Sequence, residues 1–180
     1  MVAVRAPSRP LRYLAVTCAL MVVLYVALFH EHPVDSWIGQ GIVWYLNRTA
    51  ACSALVLRAL GESVQIAGNT VLGRFPFEVV LDCGALDAQA LFVAAVLAFP
   101  SPIWTRLLGV LLGCLSIFAL NVARLVALYF AGAHSEQLFQ TLHEEVFVFL
   151  VVGAVCGLFL IWAYWAKRWA ARSGGDPEAI

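Results

Sequence analysis

Three side chains in this 180-residue sequence combine into one chemistry: a thiol at Cys83, a guanidinium at Arg124 and an imidazole at His143. A thiolate is a strong nucleophile when a nearby cation lowers its pKa. An arginine keeps its proton at any ordinary pH. Arg124 can therefore stabilise either the thiolate or the oxyanion of a tetrahedral intermediate. His143 can act as general base toward Cys83 and as general acid toward a leaving amine. Asp82 and Glu144 flank the pair in sequence, and either can orient the imidazole or a substrate backbone.

Each of these residues also has a plainer reading. Arg124 is the single charge in 107–131. A mid-membrane arginine costs roughly 2.5–3.5 kcal/mol and usually faces a bundle interior or a watery cavity. Asn121, three residues earlier, shares its helix face. The alternative is that Arg124 merely snorkels, since Phe130 is about 9 Å further along the helix. Cys18, Cys114 and Cys156 sit inside apolar runs and read as packing. Cys52 and Cys83 could instead form a redox pair, although the chain has no CxxC. His30, Glu31 and His32 have a spacing that could touch a metal, but the signal is weak. No cofactor or metal site is expected.

The elements that must position these groups follow from composition. The chain is 63% hydrophobic and 12% charged, with a mean hydropathy of +0.89. Soluble domains have roughly 45–50% apolar and about 25% charged residues. The expected class is an all-α integral membrane protein. A net charge of zero gives no reason to expect nucleic acid. About four spans are expected, near 13–29, 79–99, 107–130 and 145–166, in one membrane-embedded domain over 1–172 with a flexible tail at 173–180. The first span follows Arg5, Arg9 and Arg12 and lacks a small-residue cleavage site, so it is expected to be retained. With Arg106, Lys167, Arg168 and Arg172, these basic residues fall on one side of a four-span chain. That side is expected to be the cytoplasm, with both termini there.

The segment 30–82 is then an outer one. Residues 34–60 read as an amphipathic helix starting near Asp35 or Ser36, with Gln40, Asn47 and Arg58 close to one stripe. A fifth span is the competing reading, opposed by Asn47 and Arg48 at its centre. Gly68 and Asn69 mark a turn between extended runs, predicting a small hairpin. At 1.5 Å per residue from each span's inner edge, Cys83 lies about 25 Å up, Arg124 about 27 Å and His143 about 36 Å. A shared outer site is thus physically possible, provided the last span tilts or bends near Gly153 and Gly157.

The pattern Asp82-Cys83-Gly84, then Asn121-Val122-Ala123-Arg124-Leu125-Val126, then His143-Glu144 resembles the exosortase/archaeosortase family over roughly 75–165. The compact length is similar to that of exosortase H. Members often carry a small or polar residue between the cysteine and the glycine, whereas Gly84 follows Cys83 directly. The resemblance implies a membrane-embedded cysteine transpeptidase or protease of the bacterial inner membrane. Its partners would be exported proteins with a C-terminal tail of short motif, transmembrane helix and basic cluster, together with membrane lipid and an acceptor nucleophile. It implies Cys83 as nucleophile, Arg124 as charge stabiliser and His143 as base, with Asn121, Glu144 and Asp82 in support. A non-enzymatic assembly or transporter-like protein, or a thiol-redox protein, are the alternatives.

Overall fold

The computed structural model of the chain describes residues 9–29 and 36–172. The His30, Glu31 and His32 trio and the tail at 173–180 lie outside the described residues. The elements run α1 (Arg9–Phe29), α2 (Trp37–Ala59), β1 (Gln65–Ala67), β2 (Thr70–Leu72) and β3 (Phe77–Glu78). A 3-10 turn (Leu81–Cys83) leads to α3 (Leu86–Ala98), α4 (Ile103–His134) and α5 (Glu136–Thr141). A π-helical turn (Leu142–Val146) then opens α6 (Phe147–Arg172).

Helix α2 begins where the hydroxyl of Ser36 accepts the Gly39 amide at 3.0 Å, and it ends before Gly61, whose φ is +92°. Its buried stripe is Leu46, Thr49, Ala50, Ser53, Ala54 and Leu57, spaced as one helix face. The two buried hydroxyls are satisfied locally: Thr49 donates to the Tyr45 carbonyl at 3.0 Å and Ser53 to that of Thr49 at 2.9 Å. Arg58, on the expected polar stripe, folds back and donates to the Val64 carbonyl through Nε at 3.1 Å and Nη2 at 3.0 Å.

The strands form an antiparallel sheet in the order β1-β2-β3, with Ala67 opposite Thr70 and Val71 opposite Phe77. Gly68 takes φ +64° at the tight turn between β1 and β2. Val64, Val71 and Val79 pack on the α2 stripe and on Leu125, Val126 and Tyr129 of α4. This forms one core, a cap. Tyr129 is fully buried, and its hydroxyl accepts from the Arg74 amide at 3.1 Å and donates to Glu62 at 3.0 Å.

The second core is the helix bundle. Helix α3 packs against α1, α4 and α6, and its Ala88, Phe92 and Val96 meet Ile117 of α4 and Val155 and Trp162 of α6. Gly109 and Gly113 of α4 let Trp162 and Phe92 approach the helix backbone. Trp162 Nε1 donates to the Thr105 carbonyl at 3.0 Å. The bundle surface is apolar, with Leu107, Leu111, Leu115, Phe149 and Ile161 all exposed.

Two stretches are long and apolar enough to cross a membrane, Ile103–His134 and Glu136–Trp169. Leu11–Ala27 and Leu86–Ala98 are shorter apolar helices. The expected segment at 79–99 is thus corrected: residues 79–83 are sheet edge and 3-10 turn, and the helix starts at Leu86 because Ala85 turns the chain. The expected 107–130 segment is the middle of a longer helix. At 1.5 Å per residue α4 spans about 48 Å, well beyond an apolar layer of about 30 Å. Its excess end is what the cap packs on.

Replacing Gly113 with Val should push a branched side chain into the Phe92 ring. Overpacking of this kind costs about 1–3 kcal/mol. A detergent melting curve for Gly113→Val should fall several degrees below wild type. An unchanged midpoint would show that α3 and α4 can separate freely there.

Candidate active site

The nucleophile candidate sits where the cap core ends and the bundle core begins. Cys83 packs against the cap core, whereas Ala85 belongs to the bundle core. Between them the 3-10 turn is closed by the Cys83 amide on the Val80 carbonyl and the Gly84 amide on that of Leu81, both at 3.0 Å. Ala85 then takes φ 55° and ψ 27°, a left-handed conformation that costs an L-residue about 1–2 kcal/mol. The neighbours hold it there. Ala85 is 2% exposed. A Cβ on Gly84 would come within 3.1 Å of Leu46 Cδ2 and 3.2 Å of the Leu81 carbonyl. Both carbonyls of the turn are pinned from outside it. Asn121 Nδ2 donates to the Cys83 carbonyl at 2.9 Å, and the Tyr45 hydroxyl donates to that of Gly84 at 2.8 Å. Gln89 in turn donates to the Tyr45 hydroxyl at 2.9 Å.

Across from the thiol, His143 Nε2 lies 3.5 Å from Cys83 Sγ. His143 belongs to the π-helical turn, a wide turn of the kind often found at functional sites. The short helix α5 folds back after α4 ends at His134, and its Phe139 stacks on the His143 ring at 5.5 Å and 16°. Phe139 also meets Phe75 of the cap at 5.0 Å. The imidazole is therefore held by the cap as well as by its own helix.

Arg124 is half-buried on α4, with its Cζ 6.0 Å from the Phe147 ring centre at the start of α6. Among the described residues the ion pair within 4 Å is Arg74 with Glu62, so no carboxylate neutralises Arg124 directly. Its Nε is buried and unpartnered, as is Asn121 Oδ1. Asp82 and Glu144 are both exposed and reach His143 only through their charges, Glu144 more strongly.

Cys83 lies in the 3-10 turn ahead of α3, and His143 in the π-helical turn ahead of α6. Burial pushes the Cys83 thiol above its ordinary pKa, against the opposing pull of Arg124. Burial and then the Arg124 charge push His143 below its ordinary value. At neutral pH the resting pair is a thiol beside a neutral imidazole. A neutral imidazole at this distance can take the thiol proton as the sulfur attacks.

The profile of the transmembrane exosortase family matches residues 1–170. The chain belongs to that family. No curated protein and no solved structure matches it. As a transmembrane exosortase it is a membrane protein of the sortase-like transpeptidase kind. The match takes in α1, α2 and the sheet as well as the roughly 75–165 stretch that carries the resemblance in sequence.

In this exosortase the structure brings Cys83, His143 and Asn121 together, with Arg124 acting on the first two by its charge. Cys52 and Cys83 are both free thiols, as are Cys18, Cys114 and Cys156. No cluster of three metal-ligating side chains occurs among the described residues. Sequence reasoning missed Tyr45, Gln89, Phe139 and Phe147. Gln89 carried a signal, being with Asp87 one of two polar side chains in the run 84–99.

Two measurements test this geometry. Arg124 lowers both pKa values, so Arg124→Ala should raise both. The pH midpoint for alkylating Cys83 should move upward, and that for His143 titration likewise. An unmoved Cys83 midpoint would place the charge too far away to matter. Tyr45→Phe strands the Gly84 carbonyl, a loss of about 1–3 kcal/mol. It should lower the melting temperature and change the Cys83 alkylation rate several-fold, whereas a rate equal to wild type would show that the turn holds itself.

Proposed function

We infer that this exosortase-family protein is a membrane cysteine transpeptidase or protease acting on C-terminal sorting tails of exported proteins. The observation that carries this reading is the 3.5 Å approach of Cys83 Sγ to His143 Nε2, across 60 residues of sequence. In this reading four spans, α1, α3, α4 and α6, cross the bacterial inner membrane, with the cap and the site on the outer side. Lys167 lies 5.9 Å from the Phe99 ring, so the basic end of α6 shares its level with the α3–α4 loop and Arg106. That end is the cytoplasmic one under the Lys/Arg rule.

Cys83 Sγ attacks the scissile carbonyl carbon as its proton passes to His143 Nε2. The carbonyl oxygen becomes an oxyanion, which Arg124 stabilises. His143 returns the proton to the leaving nitrogen, the C–N bond breaks, and a thioester to Cys83 remains. An acceptor amine or water then attacks that carbonyl and its proton goes to His143. The C–S bond breaks and the thiol re-forms with that proton. Asn121 holds the nucleophile turn; Glu144 and Asp82 favour the imidazolium by their charge.

The test is co-expression with an exported protein bearing a motif, an apolar helix and a basic cluster. Wild type should release the tail and yield a hydroxylamine-sensitive adduct, whereas Cys83→Ala should do neither while still assembling in the membrane. Tail removal unchanged in Cys83→Ala would sink the enzymatic reading and leave a non-enzymatic membrane protein.

A further inference from the structure

A groove of about 220 Å³ runs between α4 and α6 directly beneath the Cys83 turn. Its upper rim is Arg124 and Phe147, and it descends past Asn121 to Ile117 on one wall and past Ala154 to Val155 on the other. Almost all of its lining is apolar. Two polar side chains, Asn121 and Arg124, break the pattern, and each has a buried atom in the groove wall without a partner, Asn121 Oδ1 and Arg124 Nε. Asn121 is 1% exposed. Its amide orientation is set by chemistry, because only the N–H end can donate to the Cys83 carbonyl. The acceptor oxygen is left over, and Arg124 presents a leftover donor one helical turn away. Stranding such groups in a buried site is costly, and native structures rarely do so without a use for them.

One acceptor and one donor, about a helical turn apart and buried in the wall of an apolar groove, match the N–H and C=O of a polypeptide backbone once that wall opens to a bound chain. A helix interior has neither group to spare, but an extended segment has both. We propose that the α4–α6 groove receives the substrate's tail, with Asn121 Oδ1 accepting a backbone N–H and Arg124 Nε donating to a backbone carbonyl. This rests on the enzymatic reading above and adds where and how the tail is held. The segment at that level is extended and lies just past the scissile bond. Below it the tail continues as an apolar helix against Ile117, Ala154 and Val155. Arginine has five N–H donors. Nε can therefore hold the tail while the terminal nitrogens face the oxyanion. The groove is continuous with the Cys83 turn, since Asn121 lines the one and bonds the other. Backbone recognition also needs no particular side chains in the tail.

The experiment uses the full chain in lipid nanodiscs, as Cys83→Ala so that bound peptide is not turned over. The probe is a synthetic peptide with a short polar segment, about 20 apolar residues and three arginines at its C-terminus. A photocrosslinking residue is placed at Leu120 in the groove, at Leu91 in the cleft toward α1, or at Leu158 in the lower cleft. Capture at Leu120 should exceed the other two by about tenfold, and Ala154→Trp should abolish that excess by filling the groove. An ester scan through the polar segment should find one position where removing the N–H lowers capture about tenfold. Asn121→Leu should erase that sensitivity. Equal capture at all three positions, or an ester scan without effect, would overturn the proposal. Tail release by the wild type is followed in parallel. Release that is lost in Cys83→Ala, with capture at Leu91, overturns the groove and leaves the enzymatic reading. No release and no hydroxylamine-sensitive adduct, with capture at Leu120, overturns the enzymatic reading and leaves the groove.

Discussion

The hydrogen bond from the Asn121 side chain to the Cys83 carbonyl is the contact on which the site depends. A chain that leaves a sheet and enters an apolar bundle must satisfy its backbone polar groups at the crossing, because neither core offers water. Here the crossing takes three residues, Cys83 to Ala85. Asn121 takes one carbonyl and Tyr45 the next. With both carbonyls held, the peptide planes are fixed, and with them the direction of the Cys83 Cα–Cβ bond. The left-handed Ala85 is the local strain of that turn, and the surrounding packing maintains it. The two donors come from different elements, α4 and α2. The thiol is therefore aimed only when the cap and the bundle are both assembled.

The same dependence governs His143. His143 sits in the π-helical turn of the helical stretch Glu136–Trp169, and Phe139, four residues earlier, ties its ring to Phe75 in the cap. Arg124 needs no such device. It lies on α4 three residues from Asn121, so one stretch of helix both pins the nucleophile turn and supplies the charge.

The membrane class and the side chains that meet at the site were legible in the sequence for physical reasons. An arginine in an apolar run is expensive enough to demand an explanation, and Asn121 shares its face. The α2 boundaries and the turn at Gly68 followed from capping and turn residues. The heights of Cys83 and His143 were not legible. Residue counting assumes regular helices, whereas α3 starts late behind a left-handed alanine and α6 starts behind a wide turn. Neither irregularity has a sequence signal, since Ala85 is not a glycine and Leu142–Val146 reads as ordinary helix. Tyr45 was hidden for another reason. A tyrosine in an amphipathic helix near a membrane resembles an interfacial anchor, and only the fold shows its hydroxyl turned inward to Gly84.

The electrostatics set the stage at which Arg124 can act. Burial leaves the resting pair neutral, and a neutral thiol is a poor target for oxidants and stray electrophiles. Arg124 lowers the pKa of Cys83 and of His143 alike. Moving a proton from one to the other therefore gains from Arg124 only the difference between its two effects. A cation that depresses both partners does little to preform an ion pair. Its net stabilisation appears once negative charge stands closer to it than the imidazolium does. An oxyanion on a substrate carbonyl held beside α4 meets that condition. Under the proposed mechanism the site stays quiet without substrate and becomes polarised when a carbonyl arrives, so that a half-buried cation contributes most to the transition state and least to the ground state.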